Sequence, residues 1–208
     1  MTPQTVNAVN IPLQNAINFP AAYLQPPFFD PNASAAYNYG AIGATIGHEI
    51  SHSFDDQGSQ FDAYGRMSNW WTPEDLAHFR AASAQLVKQY SGYCPFPGVC
   101  VNGEQTLSEN LADVAGVSAA FDGWRSLGDN TSGSAGFTAE QEFFLSYAQR
   151  WRNAMHDETL RQLLVTDSHA PAMYRPATVR NLDAWYAAFN VKPGDKLYLA
   201  PNARVRTW

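Results

Sequence analysis

Two histidines stand four positions apart with a glutamate between them, in His48-Glu49-Ile50-Ser51-His52. On an α-helix, residues i and i+4 lie one above the other on one face. Two imidazoles at this spacing can therefore reach a single zinc ion, and Glu49 can reach a water molecule bound to that ion. The pattern predicts a helix that supplies two zinc ligands together with a catalytic carboxylate.

A catalytic zinc site takes three protein ligands and keeps one position open. Glu109 and Asp113 are also four apart, in Ser108-Glu109-Asn110-Leu111-Ala112-Asp113. One face of a helix here could offer a ligating carboxylate and a second carboxylate that holds the free N–H of a ligand imidazole. The alternative for these two acids is a solvated helix face. Next to the histidine motif, we interpret Glu109 as the third ligand and Asp113 as the carboxylate behind a ligand histidine.

The elements that must position these residues are mostly helical. A weak edge strand is predicted near residues 16–19, before Pro20. The first helix is predicted to contain three glycines, which it can tolerate if another backbone or a ligand comes close. Residues 128–138 read as a loop. The first predicted helix covers about Tyr37 to Asp56. The second begins after Thr72, which caps it, and ends near Gly92. The others cover about Leu107 to Leu127 with Ser108 as cap, Thr138 to Val165, and Thr178 to Phe189.

Composition limits the class of protein. The chain has 208 residues, 45% of them hydrophobic and 15% charged, with a formal net charge of −6. This apolar content excludes intrinsic disorder, which needs few apolar residues and a high net charge. Apolar runs are too short to predict a membrane-spanning helix, and the acidic balance gives no footprint for nucleic acid. The length suits one domain or one large piece of a bigger protein.

The chain closely resembles the C-terminal catalytic part of the neprilysin family of zinc endopeptidases, which includes the endothelin-converting enzymes and bacterial oligopeptidases. The resemblance covers nearly the whole chain, and several spaced motifs in one order are far more specific than any single motif. In chain order the matching segments are Val6-Asn7-Ala8, residues 19–29, residues 38–43, Ile46-Gly47-His48-Glu49-Ile50-Ser51-His52-Ser53-Phe54-Asp55-Asp56, Asn69-Trp70-Trp71-Thr72, Val101-Asn102-Gly103, Leu107-Ser108-Glu109-Asn110-Leu111-Ala112-Asp113, His169-Ala170-Pro171-Ala172-Met173-Tyr174-Arg175, and the ending Arg204-Val205-Arg206-Thr207-Trp208.

The resemblance implies a fold and roles for particular residues. The fold would be a mainly α, thermolysin-like zincin (gluzincin) with a small β element, holding one Zn²⁺ per chain. It implies His48, His52 and Glu109 as zinc ligands and Glu49 as catalytic base. Asp113, and with less support Asp55, would hold a ligand histidine. His169 and Arg175 would contact the scissile region and stabilise the transition state. Asn7 and Ala8 would bind the substrate backbone.

The resemblance also implies a pocket for a large hydrophobic side chain that follows the cleaved bond. Tyr23, Phe28 and Trp151 are the candidates, and ordinary core packing is the alternative for each. Ala44 and Thr45 stand where the best-known mammalian members have bulkier apolar residues. Arg150 stands where those members have an apolar pocket residue. These departures affect the depth and polarity that we expect of the pocket.

Family members add a large N-terminal helical lobe that closes over the active site. We therefore expect residues 1–208 to be a single zinc-peptidase catalytic domain that lacks this lobe. Peptides are the expected substrates. Three functions stay open: an active zinc endopeptidase, a zinc-binding catalytic half that needs the missing lobe, and a non-catalytic peptide-binding module. A structural zinc module is disfavoured, because structural sites are usually cysteine-rich and closed.

Cys94 and Cys100 lie six positions apart in a segment rich in proline and glycine. Such a pair could close a small loop as a disulfide, and two free thiols are the alternative. Together with the family resemblance, a disulfide here favours an extracytoplasmic location, periplasmic or secreted.

Overall fold

Helices dominate the computed structural model, which describes residues 1–128, 133–134 and 136–206. In these residues, strands β1 (Val9–Ile11) and β2 (Ala16–Asn18) pair antiparallel near the N-terminus. The α-helices are α1 (Ala35–Asn38), α2 (Ala44–Ser51), α3 (Pro73–Ser91), α4 (Leu107–Ser126), α5 (Ala139–Gln149), α6 (Asp157–Thr166) and α7 (Asp183–Phe189). This confirms the prediction of a mainly α fold with a small β element. The described residues do not include 129–132 and 135, which form most of the centre of the predicted loop. They also do not include the ending Thr207-Trp208.

The helix predicted over residues 37–56 is shorter and less regular than expected. It begins at Ala35, because the Ser34 hydroxyl caps it by accepting the N–H of Tyr37 at 3.0 Å. A single π-helical turn, Tyr39–Gly43, separates α1 from α2. The predicted end at Asp56 is wrong, since α2 ends at Ser51 and the chain then turns. That early end leaves the segment after His52 free to fold back toward the histidines.

The caps of the next two helices differ in how well the sequence predicted them. The Thr72 cap of α3 is confirmed, since its hydroxyl accepts the N–H of Asp75 at 3.1 Å. Ser108 is not the cap of α4, which begins one residue before it. Its hydroxyl instead donates to Asp56 at 2.7 Å, and this bond ties the start of α4 to the turn that follows α2.

The helix predicted over residues 138–165 is two helices, α5 and α6. Thr138 caps α5 in a reciprocal capping box with Gln141. The break follows Gln149, where the Arg150 guanidinium reaches back to the carbonyl of Ala41 at 3.1 Å. The segment from Trp151 to the start of α6 is non-helical and borders the functional site described below. The predicted helix over 178–189 is likewise divided, into a 3₁₀ segment (Arg175–Asn181) and α7.

Helices α2 and α4 cross in direct backbone contact. A Cβ atom at Gly47 would lie 2.5 Å from the carbonyl oxygen of Gly116, and one at Gly116 would lie 2.4 Å from the backbone nitrogen of His48. Only glycine leaves room for this approach. The crossing confirms that a glycine in the first predicted helix is explained by a neighbouring backbone. It also brings the two histidines of α2 opposite the acidic residues of α4.

Two hydrophobic clusters lie on either side of α4. The first joins α4 to α2, α5 and α7 around Val117, Trp124 and Phe143. The second joins α4 to α3 around Leu86, Tyr90 and Leu111. Ten residues of α4 are buried, so this helix forms the centre of the packing. The carboxylates at its N-terminal end are therefore carried on a firmly held element.

The segment that follows α3 contains the two cysteines. Cys94 and Cys100 form a disulfide, which confirms the predicted pairing over two free thiols. Among the described residues, no helix has the length and apolar character needed to span a bilayer.

Candidate active site

The three predicted metal ligands converge on one point. His48 lies on α2 and His52 is the residue that caps its C-terminus, and their Nε2 atoms lie 3.0 Å apart. Glu109, from the first turn of α4, places Oε2 at 3.2 Å from Nε2 of His48 and Oε1 at 3.6 Å from Nε2 of His52. One donor atom from each of the three residues falls within 4.8 Å of the others. This spacing is compatible with a single ion between them.

A carboxylate holds the outer nitrogen of each histidine. Nδ1 of His48 lies 3.0 Å from Asp113, and Nδ1 of His52 lies 2.7 Å from Asp55. These contacts fix the tautomer that leaves Nε2 of each ring available as a metal ligand. Asp55 is itself held, because its other oxygen accepts the backbone N–H of Gly58 at 2.7 Å. Burial, the largest single influence, would lower the pKa of His52, but the hydrogen bond to Asp55 and the negative charges of Glu109, Asp55 and Glu49 together shift it upward.

Arg175 forms a buried, two-pronged ion pair with Asp113. Its Nε and one Nη donate to the two carboxylate oxygens, each at 2.7 Å. Burial alone would raise the pKa of Asp113, but Arg175 and His48 hold it well below the usual range for a carboxyl. Sequence reasoning gave Arg175 a role at the scissile region. The structure gives two of its donors to Asp113, while the residue still borders the cleft.

The donor atoms fit a zinc ion. Oε2 of Glu109 is buried and accepts no well-aligned hydrogen bond among the described residues. A buried carboxylate oxygen whose contacts are poorly aligned is incompletely satisfied, and a cation at this point would satisfy it. Burial alone would raise the pKa of Glu109, yet His169 and His48 hold it well below its usual range. Two neutral imidazoles and one carboxylate form a ligand set typical of catalytic zinc.

Glu49 lies beside the ligands, buried to 6% exposure. Burial raises its pKa above the ordinary value, and the charges of His48 and His52 offset this only in part. The backbone carbonyl of Glu49 accepts a hydrogen bond from the Asn10 side chain at 2.6 Å, which links α2 to β1. Sequence reasoning missed Asn10, because nothing in an isolated strand residue signals a partner thirty-nine positions away.

His169 lies at the mouth of the site and remains 45% exposed. Its Nε2 is 3.2 Å from Glu109, and its Nδ1 is 2.7 Å from Asp167. The contact with Glu109 is the largest cause of a raised His169 pKa, and Asp167 adds to it. Asp167 was also missed from the sequence, although its position two residues before His169 is typical of a local side-chain bond.

A cleft of about 410 Å³ joins these residues. Asn7 and Ala8, which directly precede β1, line the cleft. Tyr23 and Trp151 line it as well. Phe28 does not border the cleft. It stacks behind Tyr23, with ring centroids 4.4 Å apart, so core packing is the better description of this predicted pocket residue.

Arg150 makes this part of the cleft polar. It donates to the carbonyl of Ala41 and the hydroxyl of Thr45, and its guanidinium lies 4.4 Å from the centre of the Trp151 ring. No carboxylate of the described residues forms an ion pair with it. The sequence predicted that Arg150 would change the polarity of the pocket, and its guanidinium does form a positively charged part of the cleft wall.

Comparisons with known proteins agree on one family. A family model described as Peptidase family M13 matches residues 7–205. The chain is 39% identical to Neprilysin-3 of Drosophila melanogaster over 100% of its own length, and 39% identical to the neutral endopeptidase of Lactobacillus helveticus over 97%. A crystal structure of a Mycobacterium tuberculosis zinc metalloprotease in complex with an inhibitor superposes on 99% of the chain, with a TM-score of 0.96 and 46% identity.

The chain spans only part of these relatives. It covers 27% of the Drosophila protein, 30% of the Lactobacillus helveticus protein and 33% of the Mycobacterium tuberculosis chain. The region shared with them contains all the residues of the site described above.

Proposed function

Because the chain belongs to peptidase family M13, we propose that residues 1–208 are the catalytic unit of a zinc endopeptidase that cleaves oligopeptides. The convergence of His48, His52 and Glu109, with Glu49 beside them, carries this proposal. Relatives named neprilysin, endothelin-converting enzyme and neutral endopeptidase support it. We propose that substrate size is limited by segments that the longer relatives have in addition to this catalytic unit.

One zinc ion per chain would be held by the two Nε2 atoms and the Glu109 carboxylate. When bound, zinc supplies Lewis-acid polarisation of the scissile carbonyl and a water molecule of lowered pKa. Glu49 acts as general base: it takes a proton as water attacks the carbonyl carbon, then gives a proton to the departing amine.

The remaining residues orient the reaction. Asp113 and Asp55 keep both imidazoles in the tautomer that binds metal. His169 and the cleft-facing part of Arg175 donate to the developing oxyanion, and donors of this kind typically contribute about 10²–10³ in rate. Asn7 and Ala8 pair with the extended substrate backbone as an added strand. Cleavage falls on the amino side of a large hydrophobic residue, whose side chain enters beside Tyr23 and Trp151.

The decisive test is cleavage of an internally quenched peptide containing large hydrophobic residues by the purified chain. Cleavage should stop with a zinc chelator and return when zinc is added. Glu49→Gln should hold zinc as wild type does and lose activity, because the amide cannot accept the proton. Turnover retained by a verified Glu49→Gln preparation would refute the base assignment.

A folded chain that holds one zinc and cleaves nothing would give a different result. It would favour a catalytic half that needs the additional length of its relatives. A chain that binds peptides but cleaves none, both alone and when joined to the additional segments of its relatives, would instead favour a peptide-binding module.

The same proposal places the protein outside the cytoplasm. The disulfide between Cys94 and Cys100 is compatible with an oxidising compartment. Mass spectrometry of protein recovered from the source cells, with free thiols alkylated before lysis, should find this pair oxidised.

A further inference from the structure

A second groove opens beside the catalytic cleft. It lies between α6 and the segment 170–173, and its volume is about 560 Å³. Trp151, His169 and Arg175 line both this groove and the cleft. The two spaces are thus separated by no more than a shared row of side chains. We call this second space the α6 groove.

The α6 groove is mainly apolar. Helix α6 has a well-developed apolar face, yet none of its residues is fully buried. Two methionines at the groove are strongly exposed, Met155 at 42% and Met173 at 61%. Apolar surface left in water is unfavourable, and methionine adapts its shape to varied partners. The apolar residues that define the groove are Met155, Leu160, Leu163, Pro171, Ala172 and Met173.

The charged groups that border the α6 groove already have partners. Asp167 binds His169 at 2.7 Å, and Arg175 donates to Asp113 at 2.7 Å. A ligand in the groove would therefore meet no uncompensated charge from these residues. Selection there would depend on apolar size and not on charge.

We propose that the α6 groove is a second side-chain subsite, which takes a bulky apolar side chain of the same peptide that occupies the catalytic cleft. The shared wall of Trp151, His169 and Arg175 identifies this occupant, because a peptide lying in the cleft passes directly along it. Side chains of an extended peptide alternate in direction and advance about 3.3 Å per residue, so a peptide in the cleft presents more than one side chain toward its walls. The inference rests on the proposed function and adds a second selective position to the substrate.

The first test fills the groove. Peptides are varied one position at a time, with alanine or phenylalanine at each position near the cleaved bond. One position, distinct from that of the residue after the cleaved bond, should favour phenylalanine by about 10- to 100-fold in kcat/KM, as expected for burial of one large apolar side chain. Ala154 also lines the groove, and a bulky side chain there would fill it. Ala154→Trp should therefore abolish this preference and leave the alanine peptide within about twofold of wild type. Ala84→Trp, on an exposed part of α3, is the matched control and should change neither peptide.

A second test reads binding alone. Zinc-loaded Glu49→Gln is titrated with the same two fluorescent peptides, and the ratio of their Kd values is compared with and without Met173→Ser. The ratio should fall toward one in the Met173→Ser background. This exposed substitution also keeps the proposal testable if Ala154→Trp does not fold.

The two tests separate the two proposals. Cleavage that shows no second selective position, or an equal effect of Ala154→Trp on both peptides, would overturn the subsite and leave the peptidase intact. A Kd ratio that depends on Met173 without any cleavage would support the subsite and contradict the peptidase activity. Equal Kd values for the two peptides with Met173 intact would likewise overturn the subsite.

Discussion

Asp55 and Asp113 each contact Nδ1 of one histidine of the site, but different groups hold the two carboxylates in place. Asp55 is held by backbone N–H groups of a turn, whereas Asp113 faces the buried guanidinium of Arg175. Loss of either outer carboxylate typically lowers metal affinity about 10- to 100-fold. We expect that decrease for both Asp55→Asn and Asp113→Asn, measured by competition with a chromophoric zinc chelator.

Stability should distinguish the two positions. Asp113→Ala leaves Arg175 as a buried charge without its partner, which typically costs about 3–5 kcal/mol. Asp55→Ala removes hydrogen bonds from a turn and should cost about 1–3 kcal/mol. Urea unfolding of the metal-free variants measures both. Adding Arg175→Met to Asp113→Ala should recover part of the loss. Equal costs for the two single variants would contradict the buried-charge explanation.

At the scale of elements, the crossing of α2 and α4 sets the distance between the histidines and Glu109. Gly116→Ala would place a methyl group 2.4 Å from the backbone of His48, so the helices must separate. Overpacking of this kind costs about 1–3 kcal/mol. We expect that loss in urea unfolding of the metal-free protein, together with weaker zinc binding. Gly123→Ala, on the same helix, serves as the matched control, because its methyl group would approach nothing closer than a Tyr39 ring carbon at 3.4 Å. Zinc affinity unchanged in Gly116→Ala would contradict the spacing role.

The C-terminal segment is tied to α7 by charge. Asp183, in the first turn of α7, accepts from Arg204 and Arg206, and these bonds lower the pKa of its carboxyl. A folded-state pKa below the unfolded value gives stability that is present above the unfolded pKa and lost as pH falls through the folded pKa. Asp183→Asn should thus lower Tm slightly at pH 7, since an exposed pair contributes at most about 1 kcal/mol. The difference in Tm should shrink as the pH falls below the ordinary carboxyl pKa. A difference in Tm that does not depend on pH would point to a packing effect instead.

The sequence predicted which residues come together at the site better than the course of its helices. His48, Glu49 and His52 are fixed by a helical spacing, and Asp113 follows from the same four-residue rule. The end of α2 could not be predicted, because it depends on the turn that Asp55 organises. The break between α5 and α6 contains no proline or glycine that would mark it, and the carbonyl that Arg150 contacts there lies 109 positions away in the chain. Phe28 could not be assigned, since an aromatic residue in a loop packs equally well in a core or a cleft.

At the scale of the whole molecule, zinc should stabilise the fold without being needed to form it. The ligand helices pack into two hydrophobic clusters, and aspartates already orient both imidazoles. A ligand present at about 1,000 times its Kd adds about 4 kcal/mol to the free energy of unfolding. Chelation should therefore lower Tm and leave far-ultraviolet circular dichroism unchanged at 25 °C, and added zinc should restore Tm. Loss of helical signal at 25 °C would contradict a preformed site.

The π-helical turn at Tyr39–Gly43 has one consequence for how such a chain can vary in length. The backbone N–H of Ala44 reaches back five residues to the carbonyl of Tyr39, so this turn holds one residue more than an α-helix needs. The wider turn absorbs that extra residue locally, so the flanking α-helical segments keep the phase of an uninterrupted helix. Deleting one residue inside the turn would restore regular α-helical geometry and leave His48 and His52 on the same face. Deleting one residue between Ala44 and His48 would instead rotate both histidines by about 100° away from Glu109. The loss of a single codon should therefore be tolerated better within Tyr39–Gly43 than just after it.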